Sequence, residues 1–406
     1  MVGAGIFALP AALVATAGRL SLVVLLVAFM LMSLMAICLV EVASRYDVTG
    51  GPMHYAKEAF GPSAGFVVGW LMYLSRLAAF GAIAVVMLDY AGGLWPAIAT
   101  SAGRVFAITV FVALLAAFNL RGAMYGALLS NVLTLSKGIP LVVLAIAGLW
   151  FGGTSSVQGA EPDTAGLSKG LLIALFALMG FEQAAVVAGE ARNPRRDIPI
   201  GIIGGMAIIG TLYALLMLAC FATVPDLAHS KHPLADAAAR LFGPGGSTAM
   251  SITAAISCAG GLAVWMIVSP RVLYVLALQG DMPRALAHVD SVRLTPATAI
   301  IASAILVWTL TVSGTFIYLA TFSVIARMLM YASTCVALIV LRRRNGAAPV
   351  TIPGGSAWAT IALLCCLGLL ATTTGTAVRD VSIALAAGWV VRLGVRAQQR
   401  EGIRAA

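Results

Sequence analysis

Apolar runs follow one another along nearly the whole chain, separated by short polar joints. Read in windows of about 19 residues, they fall at 2–18, 20–44, 64–91, 104–120, 124–151, 170–190, 199–223, 247–278, 296–313, 315–341, 357–374 and 380–395. Runs of this length and spacing predict an all-α integral membrane protein of about twelve transmembrane helices. One run stands apart. The span 170–190 is broken at its middle by Gly180, carries an acid at Glu182, and leads into the charged tail Gly189-Glu190-Ala191-Arg192-Asn193-Pro194-Arg195-Arg196-Asp197-Ile198-Pro199. A helix interrupted at membrane depth exposes N–H and C=O groups that lipid cannot satisfy, so the break must line a cavity or be covered by protein. Substrate sites of transporters are built at such breaks.

Composition closes off the soluble classes: 61% of residues are hydrophobic and 10% charged. The first span does not read as a secretory signal, because nothing basic precedes it, although Ala15-Thr16-Ala17 resembles a cleavage site. Numbered from a cytoplasmic N-terminus, the cytoplasmic loops hold Arg45, Lys57, Arg121, Arg192, Arg195, Arg196, Arg284, Arg293, Arg342 to Arg344, Arg392, Arg396, Arg400 and Arg404. The outer loops hold only Arg19, Arg104, Lys169, Lys231, Arg240 and Arg379. This bias predicts that both termini are cytoplasmic. It also explains the net charge of +10 as topology and contact with anionic lipid rather than nucleic-acid binding. The arginine-rich loops and short connections point to a bacterial inner membrane.

The six cysteines lie inside apolar spans, where they act as small hydrophobes and imply no disulfide framework. His54, His229, His232 and His288 fall in loops without acids or cysteines at ligand spacing, so no metal site is expected and solvated rings are. No nucleophile–base pair or phosphate loop of the glycine-rich Lys-Ser/Thr type is present, which argues against an enzyme, a resident cofactor or a primary pump.

A weak repeat organises the spans. Phe60-Gly61-Pro62 precedes the long third span and Phe242-Gly243-Pro244 the long eighth, 182 residues later. The glycine breaks, Gly3-Ala4-Gly5 in span one and Gly180 in span six, are offset by about the same amount. Five spans separate the equivalents, and five is odd, so the second unit is inserted inverted. The expected layout is a first five-helix unit at 1–151, an inverted second at 169–341, helices 11 and 12 at 356–395, and a cytoplasmic tail at 396–406. An inverted five-plus-five repeat with broken first members is a secondary-transporter architecture.

Four stretches resemble the amino acid-polyamine-organocation (APC) transporters. Gly3-Ala4-Gly5-Ile6-Phe7-Ala8-Leu9-Pro10 resembles that family's break in helix one. Gly50-Gly51-Pro52 through Tyr55 to Gly69-Trp70 resembles the way into helix three. Phe176-Ala177-Leu178-Met179-Gly180-Phe181-Glu182 with the Glu190 to Pro199 tail resembles helix six, and Pro270-Arg271-Val272-Leu273-Tyr274 with Gly280-Asp281-Met282-Pro283 the end of helix eight. The resemblance implies the leucine-transporter-like fold with discontinuous helices 1 and 6, alternating access, and an amino acid or related amine as substrate. In the family about half a helix precedes the first break. Here the chain starts at it, so the expectation is either that the true start lies upstream or that the first half-helix is missing.

The chemistry of the breaks gives the candidate residues. Unpaired N–H groups at one half-helix end suit a carboxylate and unpaired carbonyls at the other suit an ammonium, so together they bind a zwitterion's backbone. Amides of Gly3, Ala4 and Gly5 would take the carboxylate, and carbonyls around Val2, Phe176 and Ala177 the amine. The alternative role for Gly3, Gly5 and Gly180 is tight helix packing. Phe176 matches the family's aromatic that closes over substrate, or is ordinary core. Ala4, where the family often has serine, leaves carboxylate binding to the backbone.

Lys137, inside span five, is costly there and by default functional. It matches a position where some family members carry a lysine in place of a sodium site, which implies proton coupling or sodium-independent exchange, beside a purely structural tether. Glu182 could relay protons, bind a cationic substrate or order the unwound segment. Glu190 and Arg192 are candidate gate residues, or part of a solvated cluster. Arg76, Arg271 and Arg327 are expected to snorkel or pair near the cytoplasmic side. The expected function is secondary transport of amino acids by proton-coupled symport, with exchange or export as the alternative within the family. A channel or structural membrane protein is a lesser alternative.

Overall fold

The computed structural model describes residues 5–46, 50–121, 126–152, 163–186, 193–290, 293, 295–373 and 375–405. Among them there are helices and turns and no strand. The helices are α1 (Gly5–Ala17), α2 (Ser21–Ala43), α3 (Pro52–Phe60), α4 (Pro62–Leu94), the four-residue α5 (Pro96–Ala99), α6 (Ser101–Leu120), α7 (Gly126–Phe151), α8 (Thr164–Leu178) and α9 (Glu182–Val186). They continue with α10 (Pro194–Thr223), α11 (Pro233–Leu278), α12 (Ala297–Ser313), α13 (Phe316–Asn345), α14 (Gly355–Thr372) and α15 (Gly375–Ala405).

Seven helical stretches among the described residues are long and apolar enough to cross a bilayer: Gly5–Ala43, Pro62–Leu94, Ser101–Leu120, Arg195–Thr223, Pro233–Leu278, Phe316–Asn345 and Gly355–Thr372. Three shorter apolar helices are Lys137–Phe151, Thr164–Leu178 and Ala297–Ser313. The first stretch contains α1 and α2, folded back at the Gly18–Leu20 turn. Helix α15 covers the twelfth expected span but joins neither group; Arg379, Asp380, Arg392 and Arg396 punctuate its apolar run.

The long membrane-length helices are largely apolar on all sides, and burial sorts them. Helix α4 lies at the centre, packed along α13 and α11, and is buried through most of its length. Helix α6 is peripheral: Phe106 and Phe118 are exposed and only Ile108, Val112 and Asn119 are buried. In a bilayer such exposed faces meet lipid rather than water, so they carry no penalty. Polar N-caps start three helices. Thr100, Asp163 and Thr315 accept from the N–H groups of Gly103 (3.1 Å), Gly166 (2.6 Å) and Tyr318 (3.3 Å).

The Phe-Gly-Pro joints adopt matching backbones. Gly61 has φ 93° and ψ 178°, and Gly243 has φ 72° and ψ −168°. Only glycine enters this region at little cost. In each joint an amphipathic segment opening on a proline, Pro52 or Pro233, turns sharply into a long apolar helix opening on Pro62 or Pro244. The eighth expected span therefore begins in a helix that starts fourteen residues earlier than hydropathy alone placed it.

Two of the histidines expected to be solvated are packing groups. His232 shares a hydrogen bond with the Asp89 carbonyl (3.0 Å) and meets the Tyr90 ring edge-on, while His54 lies against Tyr46 and Tyr55. Burial pushes the His54 imidazole below its ordinary pKa. The six cysteines are free thiols.

Candidate functional site

Helix α8 ends as the sequence predicts. Met179 turns extended (φ −70°, ψ 161°), Gly180 takes φ 115°, and α9 restarts at Glu182. The Gly180 N–H, orphaned by the break, donates to Glu182 Oε2 at 3.0 Å. That carboxylate is then saturated by its neighbours: Tyr331 Oη donates to Oε2 at 2.7 Å, Arg327 Nη1 lies 3.2 Å from Oε1, and Gln183 Nε2 donates weakly to Oε1 at 3.4 Å. Phe181 stacks on the Tyr331 ring at 5.3 Å.

A second guanidinium joins the cluster. Arg76 Nη2 donates to Gln183 Oε1 at 2.8 Å. Arg327 Nε reaches Ser75 Oγ at 3.3 Å, its guanidinium lies 5.4 Å over the Trp265 ring, and Ser323 Oγ donates to the Ser75 carbonyl at 2.8 Å. Helices α4, α9, α11 and α13 thus meet at one polar point. Arg76 and Arg327 are each 3% exposed. Of the two expectations for these arginines, snorkelling or pairing, the structure gives pairing: a carboxylate within reach lets the charges stay buried. Arg271, by contrast, is exposed.

Helix α1 crosses α8 at the break. A Cβ on Gly5 would stand 2.8 Å from Ala177 Cα, so no side chain fits there. The Phe7 carbonyl, one turn before Pro10, accepts from Tyr90 Oη at 2.9 Å. Phe176 is buried, its ring edge-on to Phe316 at 5.8 Å. Phe316 in turn lines a cavity of about 590 Å3 between α1, α4, α6 and the start of α13, with Ala8, Ala12, Asp89, Arg104 and Lys231 in its wall. Arg104 and Asp89 pair across it at 2.6 Å. The Phe176–Phe316 contact thus links the end of α8 to the wall of that cavity.

The other side is tied shut. Arg342 grips the fully buried Glu41 with both forks, Nε to Oε1 at 2.5 Å and Nη2 to Oε2 at 2.6 Å, and the Ile352 N–H donates to Oε2 at 3.0 Å. Nearby, Arg45 Nη2 donates to the Gly346 carbonyl at 2.8 Å.

Of the residues expected to form the site, Gly5, Phe176, Ala177, Gly180 and Glu182 come together at the α1–α8–α9 junction. Lys137 belongs to another junction: it is half-buried on α7, a helix that packs on α10 and α11. Val2, Gly3, Ala4, Glu190 and Arg192 lie outside the described residues. Sequence reading missed Arg76, Arg327, Tyr331 and Gln183 as one cluster. The available signal was the cost of two arginines within spans.

Residues 1–391 match the family described as amino acid permease. The chain is 26% identical over 373 residues to the b(0,+)-type amino acid transporter 1 of Mus musculus, covering 87% of this chain and 76% of that one. It is 25% identical over 361 residues to the serine/threonine exchanger SteT of Bacillus subtilis (85% and 80%). With the cadaverine/lysine antiporter of Escherichia coli it shares 27% over 298 residues (72% and 67%). A broken helix crossed by α1, a cluster of buried charges beside it, and a match along nearly the full length lead to one assignment: the chain is a multi-pass membrane protein that belongs to the amino acid permease family of the APC superfamily.

Proposed function

We propose that this chain is a secondary active transporter that moves amino acids across the cytoplasmic membrane by alternating access, with both termini cytoplasmic. The observation that carries the reading is the break at Gly180, crossed by α1 at Gly5 and roofed by Phe176 and Phe316. A zwitterion's backbone would bind there, its carboxylate on amides of the first break at Gly3, Ala4 and Gly5, its amine on carbonyls near Val2, Phe176 and Ala177. Glu182, with its lone pairs taken up, holds the unwound segment in shape.

Pairwise packing favours the inverted repeat. Helix α1 packs on α8, α2 on α10, α4 on α11 and α6 on α12, each on the counterpart five spans away. Exchanged pairs occur too, since α4 packs on α13 as α11 does on α7, and α2 on α13 as α10 does on α7. With the matching glycine joints, this favours a two-unit core of ten helices with α14 and α15 outside it. In the orientation set by the loop charges, the cavity faces outward and the Glu41–Arg342 tie closes the cytoplasmic side.

Two coupling modes remain. Lys137, a cation on α7 within a span, favours sodium-independent proton coupling. Relatives named as an exchanger and an antiporter favour exchange. Uptake of a panel of labelled amino acids into proteoliposomes, with and without an inward proton gradient and beside Lys137→Ala, separates them. Gradient-driven accumulation that disappears in Lys137→Ala is the symport result; uptake only into vesicles preloaded with amino acid is the exchange result. No flux of any amino acid under either condition would sink the transporter reading.

A further inference from the structure

The polar cluster beside the break is not balanced. It holds two guanidinium groups, Arg76 and Arg327, against the one carboxylate of Glu182, and all three side chains are at most 3% exposed. Moreover, Arg76 Nη1 and Arg327 Nη2 are buried without a hydrogen-bond partner. An unpaired donor on a buried charge is expensive, and a cluster that served only to pin helices would be more stable with a second acid or with one arginine fewer. The cluster also adjoins the proposed substrate site, because Glu182 binds the Gly180 N–H at the break itself.

We propose that the missing anion arrives with the substrate: the chain transports amino acids whose side chain carries a carboxylate, and that carboxylate is held by Arg76 and Arg327. This rests on the transporter reading above and narrows its substrate. A planar guanidinium fork with free N–H groups suits a carboxylate, which can accept two parallel hydrogen bonds. The geometry also argues against a cationic side chain. Glu182 already accepts from Gly180, Tyr331, Arg327 and Gln183, so an incoming ammonium would find its lone pairs occupied and two guanidinium charges nearby.

L-Glutamate and L-glutamine have nearly the same shape and differ in this charge, so their uptake into proteoliposomes, in gluconate and in chloride buffer, is the test. The expected result is uptake of glutamate at least tenfold more efficient than glutamine, with the ratio collapsing to near one or inverting in Arg76→Gln and in Arg327→Gln. Arg76→Lys keeps the charge and loses the fork, so it should retain part of the preference. Should the Gln variants fold poorly, thermal stabilisation of the detergent-solubilised wild type by glutamate but not glutamine gives the same reading. Transport of glutamine or other neutral amino acids as good as or better than glutamate overturns this inference and leaves the transporter reading standing. Equal stabilisation by chloride with no glutamate uptake means that the pair holds an inorganic anion, and also overturns it. No flux of any amino acid overturns both.

Discussion

At the scale of single residues, the fold depends on one carboxylate being in one place. Glu182 satisfies the N–H freed by the helix break, takes the Tyr331 hydroxyl, and is the acid nearest the buried Arg327. Removing one partner of such a pair leaves an uncompensated charge, which costs about 3–5 kcal/mol. Tyr331→Phe removes one hydrogen bond to a charged acceptor, worth about 1.5–3 kcal/mol. Glu182→Gln is therefore expected to lower the melting temperature of the purified protein more than Tyr331→Phe does, and a reversed order would contradict the role assigned to the carboxylate. Gly180 and Glu182 were legible in the sequence because a glycine and an acid inside an apolar run violate its pattern. Their partners were not: Arg76 and Arg327 are 251 positions apart, and an arginine's length lets it be read as reaching the membrane surface. Only the meeting of α4, α9 and α13 shows that it need not.

At the scale of elements, hydropathy located the helices well where both ends meet water. It placed the third span at 64–91, and α4 runs Pro62–Leu94. It started α11 late, because Asp236, Arg240 and then Gly243-Pro244-Gly245-Gly246 lower the hydropathy there, and in α15 it did not show that Arg392 is buried against Asp281 at 2.8 Å. Gly61 and Gly243 both occupy conformations that side chains resist, with open space where a Cβ would point. Gly61→Ala and Gly243→Ala should each destabilise by about 1–3 kcal/mol through backbone strain alone, read as a drop in melting temperature. Because nothing there clashes, the two drops should be similar. A neutral result at either joint would contradict the equivalence drawn between them.

At the scale of the whole molecule, the packing is asymmetric across the break. On one side a cavity reaches down to Phe316, whose ring meets that of Phe176 edge-on. On the other, Glu41, Arg342 and the Ile352 backbone form a closed tie between α2, α13 and the segment before α14. A carrier needs the two closures to alternate, each state being favoured by different contacts. The inverted repeat proposed above would supply this, since each of its units would offer the same pair of closures, but the sequence held no sign of which side is open. That depends on contacts such as Phe176 with Phe316, made between residues 140 positions apart.

The most direct test of this account is efflux of labelled amino acid from loaded proteoliposomes, measured with and without unlabelled amino acid outside. Alternating access predicts saturable efflux that speeds up severalfold when the outer solution supplies substrate for the return step. Efflux that does not saturate and is indifferent to the outer amino acid would mean an open pore, and would contradict the carrier reading at its root.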